Sequence, residues 1–296
     1  MFIAITFLGL LQHMLTTPPC VELNAPVVVR VGDGDISCEP SPFDDSLDAA
    51  VRIQREFKSY PSTLFQQAGC ARIVLCTKLA YAGQLRAAIP DWEHNTLYID
   101  TQRGAKSTGY PEHVLHHEFF HLIDHADDGD VYNDTTWTAL NPIGFRYGNG
   151  GVNAQTTRNT GALTESIPGF LTHYATTGVE EDKAELFAFS VTHKDYIAAR
   201  IKTDTVLAAK VARLKAILKN LCPDAKDLIS IHPNEPTTSR GRPRSCCRVG
   251  IPKQQLGIKF KRHPYNALTP FDRQGHNTWN SHPVTSQYSQ PPSSSA

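Results

Sequence analysis

The sequence predicts one α+β domain in which a small mixed sheet is followed by a mostly helical part. Short runs rich in β-branched residues lie within the first hundred positions, and residues 72–76 and 96–100 have the clearest strand patterns. Beyond residue 110, apolar residues recur at helical intervals in three stretches. The chain has 296 residues, 40% of them hydrophobic, which suits one such domain with additional segments at its ends. We place this domain at residues 26–222.

The first half of the domain is predicted to supply the sheet and one helix. Residues 26–31 form a short β-branched run, and a Gly-Asp-Gly-Asp turn follows it. Residues 46–60 carry Leu47 and Val51 at helical spacing, so a helix is expected there. The stretch between the strands at 72–76 and 96–100 contains Pro90 and is predicted to be loop-rich. We expect the second strand to keep a free edge above the next helix, where an extended peptide could pair with it. An ordinary sheet edge would have the same sequence pattern.

Residues 110–125 contain the pattern His-Glu-x-x-His. On an α-helix His117 and His121 lie one turn apart on the same face, so the two imidazoles can share one Zn²⁺. Glu118 projects from the neighbouring face, where its carboxylate can accept a proton from water. A helix that carries His and Glu by chance matches the same pattern. An apolar face favours a buried helix, and its residues are Val114, Leu115, Phe119, Leu122 and Ile123.

The second half of the domain is predicted to begin with long loops and to end with helices. Residues 127–169 are rich in Gly, Asn, Thr and Pro and show no sustained period. The acidic run at 127–130 lacks the spacing of a calcium loop, so we interpret it as a solvated turn. Helical periodicity returns at 179–200 and again at 207–221, where Thr203 or Thr205 can cap the last helix.

A catalytic zinc site needs a third protein ligand, and the residues leave several candidates. Asp127 could ligate if the helix turned sharply after Leu122, but that turn requires glycine where the sequence has Asp124. His125 is two turns from His117 and points progressively away. The favoured candidates are the carboxylates at 181 and 185, one turn apart on a later helix. One can bind the metal while the other accepts a hydrogen bond from a ligand imidazole, although acidic residues at a helix start also complement the helix dipole.

These residues resemble the gluzincin metallopeptidases, particularly those similar to the anthrax lethal factor catalytic domain. The resemblance rests on residues 117–121 and on Tyr174, which precedes Glu181 by seven residues within a Glu-x-x-Ala-Glu pattern. It covers roughly residues 70–195 and implies a zincin-like metallopeptidase fold. It also implies Zn²⁺ bound by His117, His121 and Glu181, with Glu118 and Tyr174 as catalytic residues and Glu185 in the outer shell.

One residue departs from the family pattern. Lys183 stands where relatives often carry an aromatic residue. A cation one turn from a metal ion is unfavourable unless it faces solvent, so Lys183 counts against the ligand assignment.

The two ends of the chain differ in composition from the domain. Residues 223–296 contain ten prolines and ten Lys or Arg against four Asp or Glu, whereas the preceding 222 residues carry 19 basic and 25 acidic residues. We predict a disordered basic tail at 223–296. Its run at 240–248 has no stacking aromatics, so no nucleic-acid partner is expected. Residues 1–25 are predicted to be a signal peptide or a disordered N-terminus.

The cellular location stays open between secreted and intracellular. Residues 2–11 form an apolar run too short to span a bilayer, with no Lys or Arg before it and no clear cleavage site after it. Seven cysteines cannot form a closed disulfide set, and no C-x-x-C pair is present. Cys70 and Cys76 are predicted to be buried thiols that flank a strand, although an oxidising compartment could bridge them.

The sequence therefore favours a zinc endopeptidase that acts on a peptide or protein substrate, with no membrane span and as a monomer. Two rival hypotheses remain. The chain could be a catalytically silent zincin-fold binding module, or a nucleic-acid-associated protein that uses its basic tail. Zinc content and peptide cleavage distinguish the endopeptidase from the silent binding module. Deletion of residues 223–296 tests the nucleic-acid hypothesis.

Overall fold

A seven-stranded mixed sheet and seven α-helices make up the part of the chain that the computed structural model describes, which is residues 19–23, 27–148 and 161–231. The strands are β1 (Cys20–Leu23), β2 (Val27–Val31), β3 (Gly34–Pro40), β4 (Arg72–Tyr81), β5 (Gln84–Leu85), β6 (Ala88–Asp91) and β7 (Thr96–Asp100). The helices are α1 (Phe43–Glu56), α2 (Ser62–Gln67), α3 (Tyr110–Asp128), α4 (Thr135–Thr138), α5 (Val179–Thr192), α6 (Lys194–Arg200) and α7 (Thr205–Leu221). The predicted mixture of a mixed sheet and several helices is confirmed.

Strand β4 organises the sheet because it pairs with four other strands. It is parallel to β1 and β7 and antiparallel to β3 and β5. Alternate side chains of β4 point to opposite faces of the sheet. Ile73 and Leu75 enter the large core that also contains helix residues, whereas Val74 and Cys76 enter a smaller cluster on the other face. The cysteines Cys70 and Cys76 are buried free thiols, as predicted.

The edge of the sheet beside α3 belongs to β6, which corrects the sequence prediction for the strand at 96–100. Strand β7 lies between β4 and β6, so both of its edges are paired. Strand β6 falls in the stretch predicted to be loop-rich, and α3 packs against it. Pro90 obscured this strand in the sequence. A proline is tolerated there because a residue on an edge strand can place its missing N–H on the unpaired side.

Helix α3 is the longest helix of the described structure, and its apolar side enters the large core. Leu115, Phe119 and Ile123 are each at most 3% exposed. The helix ends where Gly129 adopts a left-handed conformation with φ of 82° and donates its N–H to the carbonyl of His125. Helix α5 packs against α3, so the arrangement on which the candidate site depends is present.

The helical second half differs from the sequence prediction in two details. The stretch predicted as one helix over 179–200 divides at His193 into α5 and α6. The cap of α7 is Asp204, whose side chain accepts the N–H of Leu207, so the prediction of Thr203 or Thr205 is wrong. An aspartate carboxylate at this position serves as an N-cap in the same way as a threonine hydroxyl.

The described core extends beyond residues 26–222 on both sides. Strand β1 pairs with β4 before residue 26, and Leu228, Ile229 and Ile231 are buried in the large core after residue 222. These aliphatic residues follow the short 3-10 turn Pro223–Ala225, so the packed chain overlaps the start of the predicted tail. The N-terminal apolar run and the basic run at 240–248 lie outside the described residues. No described helix is long and apolar enough to cross a membrane.

Candidate metal centre

Helices α3 and α5 bring two histidines and one glutamate together. His117 and His121 lie one turn apart on α3, and Glu181 lies in the first turn of α5. The Glu181 Oε2 atom is 2.9 Å from His117 Nε2 and 3.8 Å from His121 Nε2. The three side chains are only 7–10% exposed. The predicted residues of the two motifs therefore meet in one buried cluster.

This cluster suits a zinc ion in its donor atoms and in its dimensions. One ligand atom from each residue lies within 4.8 Å of the others. In a tetrahedral zinc site with bonds of about 2.0–2.1 Å, two ligand atoms are roughly 3.3 Å apart. The separations of 2.9 and 3.8 Å lie on either side of that value. Two imidazoles and one carboxylate are also a ligand set that leaves a fourth position for water.

Contacts with two carboxylates stabilise the protonated form of His117, and a metal cation could take the place of one of its protons. Burial alone would lower the pKa of His117, but its contacts with Glu181 and Glu185 raise that pKa well above the ordinary value. Burial and the charge of His117 lower the pKa of His121 to about 4. One imidazole is thus protonated and the other neutral near pH 7. A bound cation would replace the proton of His117 on the nitrogen that faces Glu181.

Glu118 lies beside the cluster without joining it. Burial, aided by the neighbouring charge of Glu181, outweighs the opposing charges of His117 and Arg86 and raises the pKa of its carboxyl to about 7. In the described structure Glu118 belongs to neither group of potential metal ligands. Its carboxylate can therefore accept a proton near neutral pH instead of binding a metal ion.

Tyr174 reaches the same cluster from the short 3-10 turn Tyr174–Thr176. Its hydroxyl donates a hydrogen bond of 2.6 Å to Glu181 Oε1. Burial and the charge of Glu181 raise the pKa of the Tyr174 hydroxyl well above its ordinary value, so it stays protonated and acts as a donor. To donate to a substrate oxygen, this hydroxyl must leave or share its bond with Glu181.

Glu185 holds the other side of His117. Its Oε1 atom lies 3.1 Å from His117 Nδ1 and 2.7 Å from His113 Nε2, and its Oε2 atom accepts a hydrogen bond of 2.8 Å from Thr172. The resemblance to the gluzincins implied an outer-shell role for Glu185 but none for His113 or Thr172. The sequence does indicate that His113 lies near His117, because it precedes His117 by one helical turn. No spacing rule points to Thr172.

The other candidate ligands lie away from the cluster. His125 stacks on Trp92 with 5.0 Å between the ring centroids. Helix α3 continues to Asp128, so no sharp turn brings Asp127 towards the histidines. Neither residue belongs to a group of potential metal ligands among the residues described.

Lys183, the residue that departs from the family pattern, does not face solvent. Its side chain is fully buried, and its ammonium group lies 2.7 Å from Asp124 Oδ1 and 3.7 Å from Asp134 Oδ2. The two aspartates, rather than water, compensate the positive charge. A buried lysine near the candidate centre is therefore compatible with a metal ion.

Comparisons with known proteins identify no family for this chain. No family model matches the sequence, and no curated protein matches it. A solved structure of a Bacteroides caccae protein that carries the provisional name zinc-binding metallo-peptidase is similar, with 14% sequence identity and a TM-score of 0.45. The similarity covers 75% of this chain and 92% of the other.

Proposed function

We propose that this protein is a zinc-dependent peptidase of the zincin-like, gluzincin type. The observation that carries the proposal is the buried meeting of His117, His121 and Glu181, with Glu118 beside them. In this proposal the three residues hold Zn²⁺ through their Nε2 and carboxylate oxygen atoms. When bound, zinc would polarise a substrate carbonyl and acidify a water molecule.

The remaining groups of the site have separate tasks. Glu118 accepts the proton of the attacking water and returns it to the leaving amine, for which a pKa near 7 is suited. Tyr174 keeps its proton and donates to the negative charge that develops on the carbonyl oxygen. Glu185 accepts the N–H of His117 Nδ1, which leaves Nε2 free for the metal.

The outer edge of β6, on the side opposite β7, is the proposed position for the peptide substrate. The bond from Asp100 N to Ala87 O fixes the alternation of the β6–β7 ladder. Residues 87, 89 and 91 point their backbone groups towards β7, so Ala88 and Pro90 point theirs outwards. Ala88 is only 4% exposed, whereas Pro90 is partly exposed, so an extended peptide could pair with the outward C=O of Pro90. Because α3 packs against β6, such a peptide would lie close to the candidate centre.

Zinc content and peptide cleavage test the proposal together. Purified full-length protein should contain one zinc ion per chain by mass spectrometry and should cleave casein or a quenched fluorescent peptide library. Glu118→Gln should retain zinc and lose cleavage. Zinc without cleavage in the wild-type protein would instead support the silent binding module, and absence of zinc from the protein after incubation with zinc would refute both.

A further inference from the structure

The carboxylate of Glu185 joins three side chains that come from two separate parts of the chain. His113 and His117 lie one turn apart on α3, and Thr172 precedes the turn that carries Tyr174. Their distances to Glu185 are 2.7, 3.1 and 2.8 Å, which are the lengths of ordinary or charge-assisted hydrogen bonds. Side-chain exposure is 7% for Glu185 and His117 and 18% for His113.

The directions of these hydrogen bonds can be assigned. The Thr172 oxygen accepts the backbone N–H of Ala175, so its own hydrogen is donated to Glu185. An ionised carboxylate only accepts hydrogen bonds. His113 Nε2 and His117 Nδ1 must then both carry hydrogen. Because His117 Nδ1 donates to Glu185, Nε2 is the nitrogen of His117 that faces Glu181.

His113 is itself held in place. Its ring packs edge-on against Phe189, with 4.9 Å between the ring centroids and an interplanar angle of 70°. The imidazole is therefore directed at Glu185 by a neighbour on α5, the helix that also carries Glu185. Thr172 fixes the other carboxylate oxygen. Without these two donors, Glu185 could rotate and no longer present Oε1 to His117.

We propose that His113 and Thr172 are positioning residues that act through Glu185 to orient His117 for metal binding. This inference rests on the proposed zinc site, but it assigns two residues that neither motif contains. Outer partners of metal ligands typically contribute 10–100-fold to metal affinity. The same range is expected here for removal of either donor.

An alternative role for these residues is a second metal site. Ligand atoms of His113, His117 and Glu185 also lie within 4.8 Å of one another. A cation there would need the lone pair of His117 Nδ1, which the assigned hydrogen bond to Glu185 occupies with a proton. The structure therefore favours one zinc ion per chain over two.

The test compares variants that keep a donor with variants that lose it, in full-length protein. Zinc dissociation constants are measured by competition with a fluorescent chelator, and far-ultraviolet circular dichroism checks the fold of each zinc-free variant. His113→Phe and Thr172→Val should weaken zinc binding by about 10–100-fold. His113→Gln and Thr172→Ser keep a donor and should recover most of the affinity. His125→Phe is the matched control, because His125 lies on the same helix but contacts Trp92.

The outcomes of this experiment distinguish a positioning role from a second metal site and from the absence of a zinc site. Equal zinc affinity in the wild type and in folded His113→Phe and Thr172→Val would overturn the inference while leaving the zinc site intact. Two zinc ions in the wild type and one in His113→Phe would overturn it in favour of a second metal site. Absence of zinc from the wild type would instead refute the proposed function. If one variant of a pair does not fold, the other pair decides.

Discussion

The Oε2 atom of Glu181 lies 2.9 Å from the Nε2 atom of His117, although 64 residues separate them in the sequence. The other oxygen of the same carboxylate accepts the Tyr174 hydroxyl at 2.6 Å. Glu181 on α5 thus contacts His117 on α3 and Tyr174 in the turn that precedes α5. A single substitution at Glu181 should accordingly show whether Glu181, rather than Asp127 or His125, is the third metal ligand.

Replacement of Glu181 should abolish tight zinc binding. Glu181→Ala removes one of three proposed ligands, so the loss should exceed the roughly 100-fold upper range for outer partners. The measurement is zinc content after dialysis, together with a dissociation constant from chelator competition. Asp127→Ala is the matched control, because Asp127 lies on α3 outside the cluster. The ligand assignment would be wrong if Asp127→Ala lost zinc and Glu181→Ala retained it.

Removal of the Arg86 charge should move the acid limb of the pH–activity profile towards higher pH. Glu118 must be deprotonated to act as a base, so activity falls as pH falls through its pKa. That pKa is about 7 because of burial, and the charge of Arg86 lowers it. Zinc, when bound, lowers it further, so the limb of the wild type should lie below pH 7.

The Arg86 experiment compares kcat/KM from pH 5 to pH 9 for the wild type and Arg86→Gln. The limb should move to higher pH in the variant whether or not zinc also contributes, because a positive charge is lost in both cases. Arg30→Gln serves as the control, since Arg30 pairs with Asp35 on the surface. An unchanged or downward-shifted limb in Arg86→Gln would contradict the role of Glu118 as the titrating base.

The sequence predicted the metal-binding motif because the helical period alone sets the spacing of its members. His117 and His121 are four residues apart, as are Glu181 and Glu185, and each pair lies on one face of a regular helix. Strand β7 was likewise predicted with its observed limits, because its continuous apolar run at 97–99 is bounded by polar residues. Local patterns were sufficient for all of these elements.

Features that depend on tertiary contacts could not be predicted in this way. The edge strand β6 has only four residues and contains Pro90, so no local pattern distinguishes it from a loop. The role of Thr172 depends on a 13-residue separation that corresponds to no regular period. Burial of Lys183 follows from Asp124 and Asp134, whose approach depends on how α3 and α5 pack.

Loss of the Lys183 charge should destabilise the fold, and more strongly at high pH than at low pH. Lys183 is fully buried and lies 2.7 Å from Asp124, which is 2% exposed. Burial raises the pKa of Asp124 to about 7, and the charge of Lys183 opposes this rise. In Lys183→Met that opposition is lost, so the pKa of Asp124 rises further above its value in the unfolded chain. A carboxyl whose pKa is raised on folding contributes stability at low pH that is lost as pH rises through the folded pKa.

The unfolding free energy of Lys183→Met should therefore fall by about 3–5 kcal/mol at pH 8, where the unpaired carboxylate is buried, and by less at pH 5. Urea denaturation of zinc-free protein, with a chelator present, measures this without a contribution from metal binding. The double variant Asp124→Asn/Lys183→Met removes the buried charge and should recover part of the loss at pH 8. Lys219→Met, at an exposed position, should change stability by no more than about 0.5 kcal/mol. If the single variant lost the same free energy at both pH values, and the double variant recovered none of it, the buried ion pair would not be the cause.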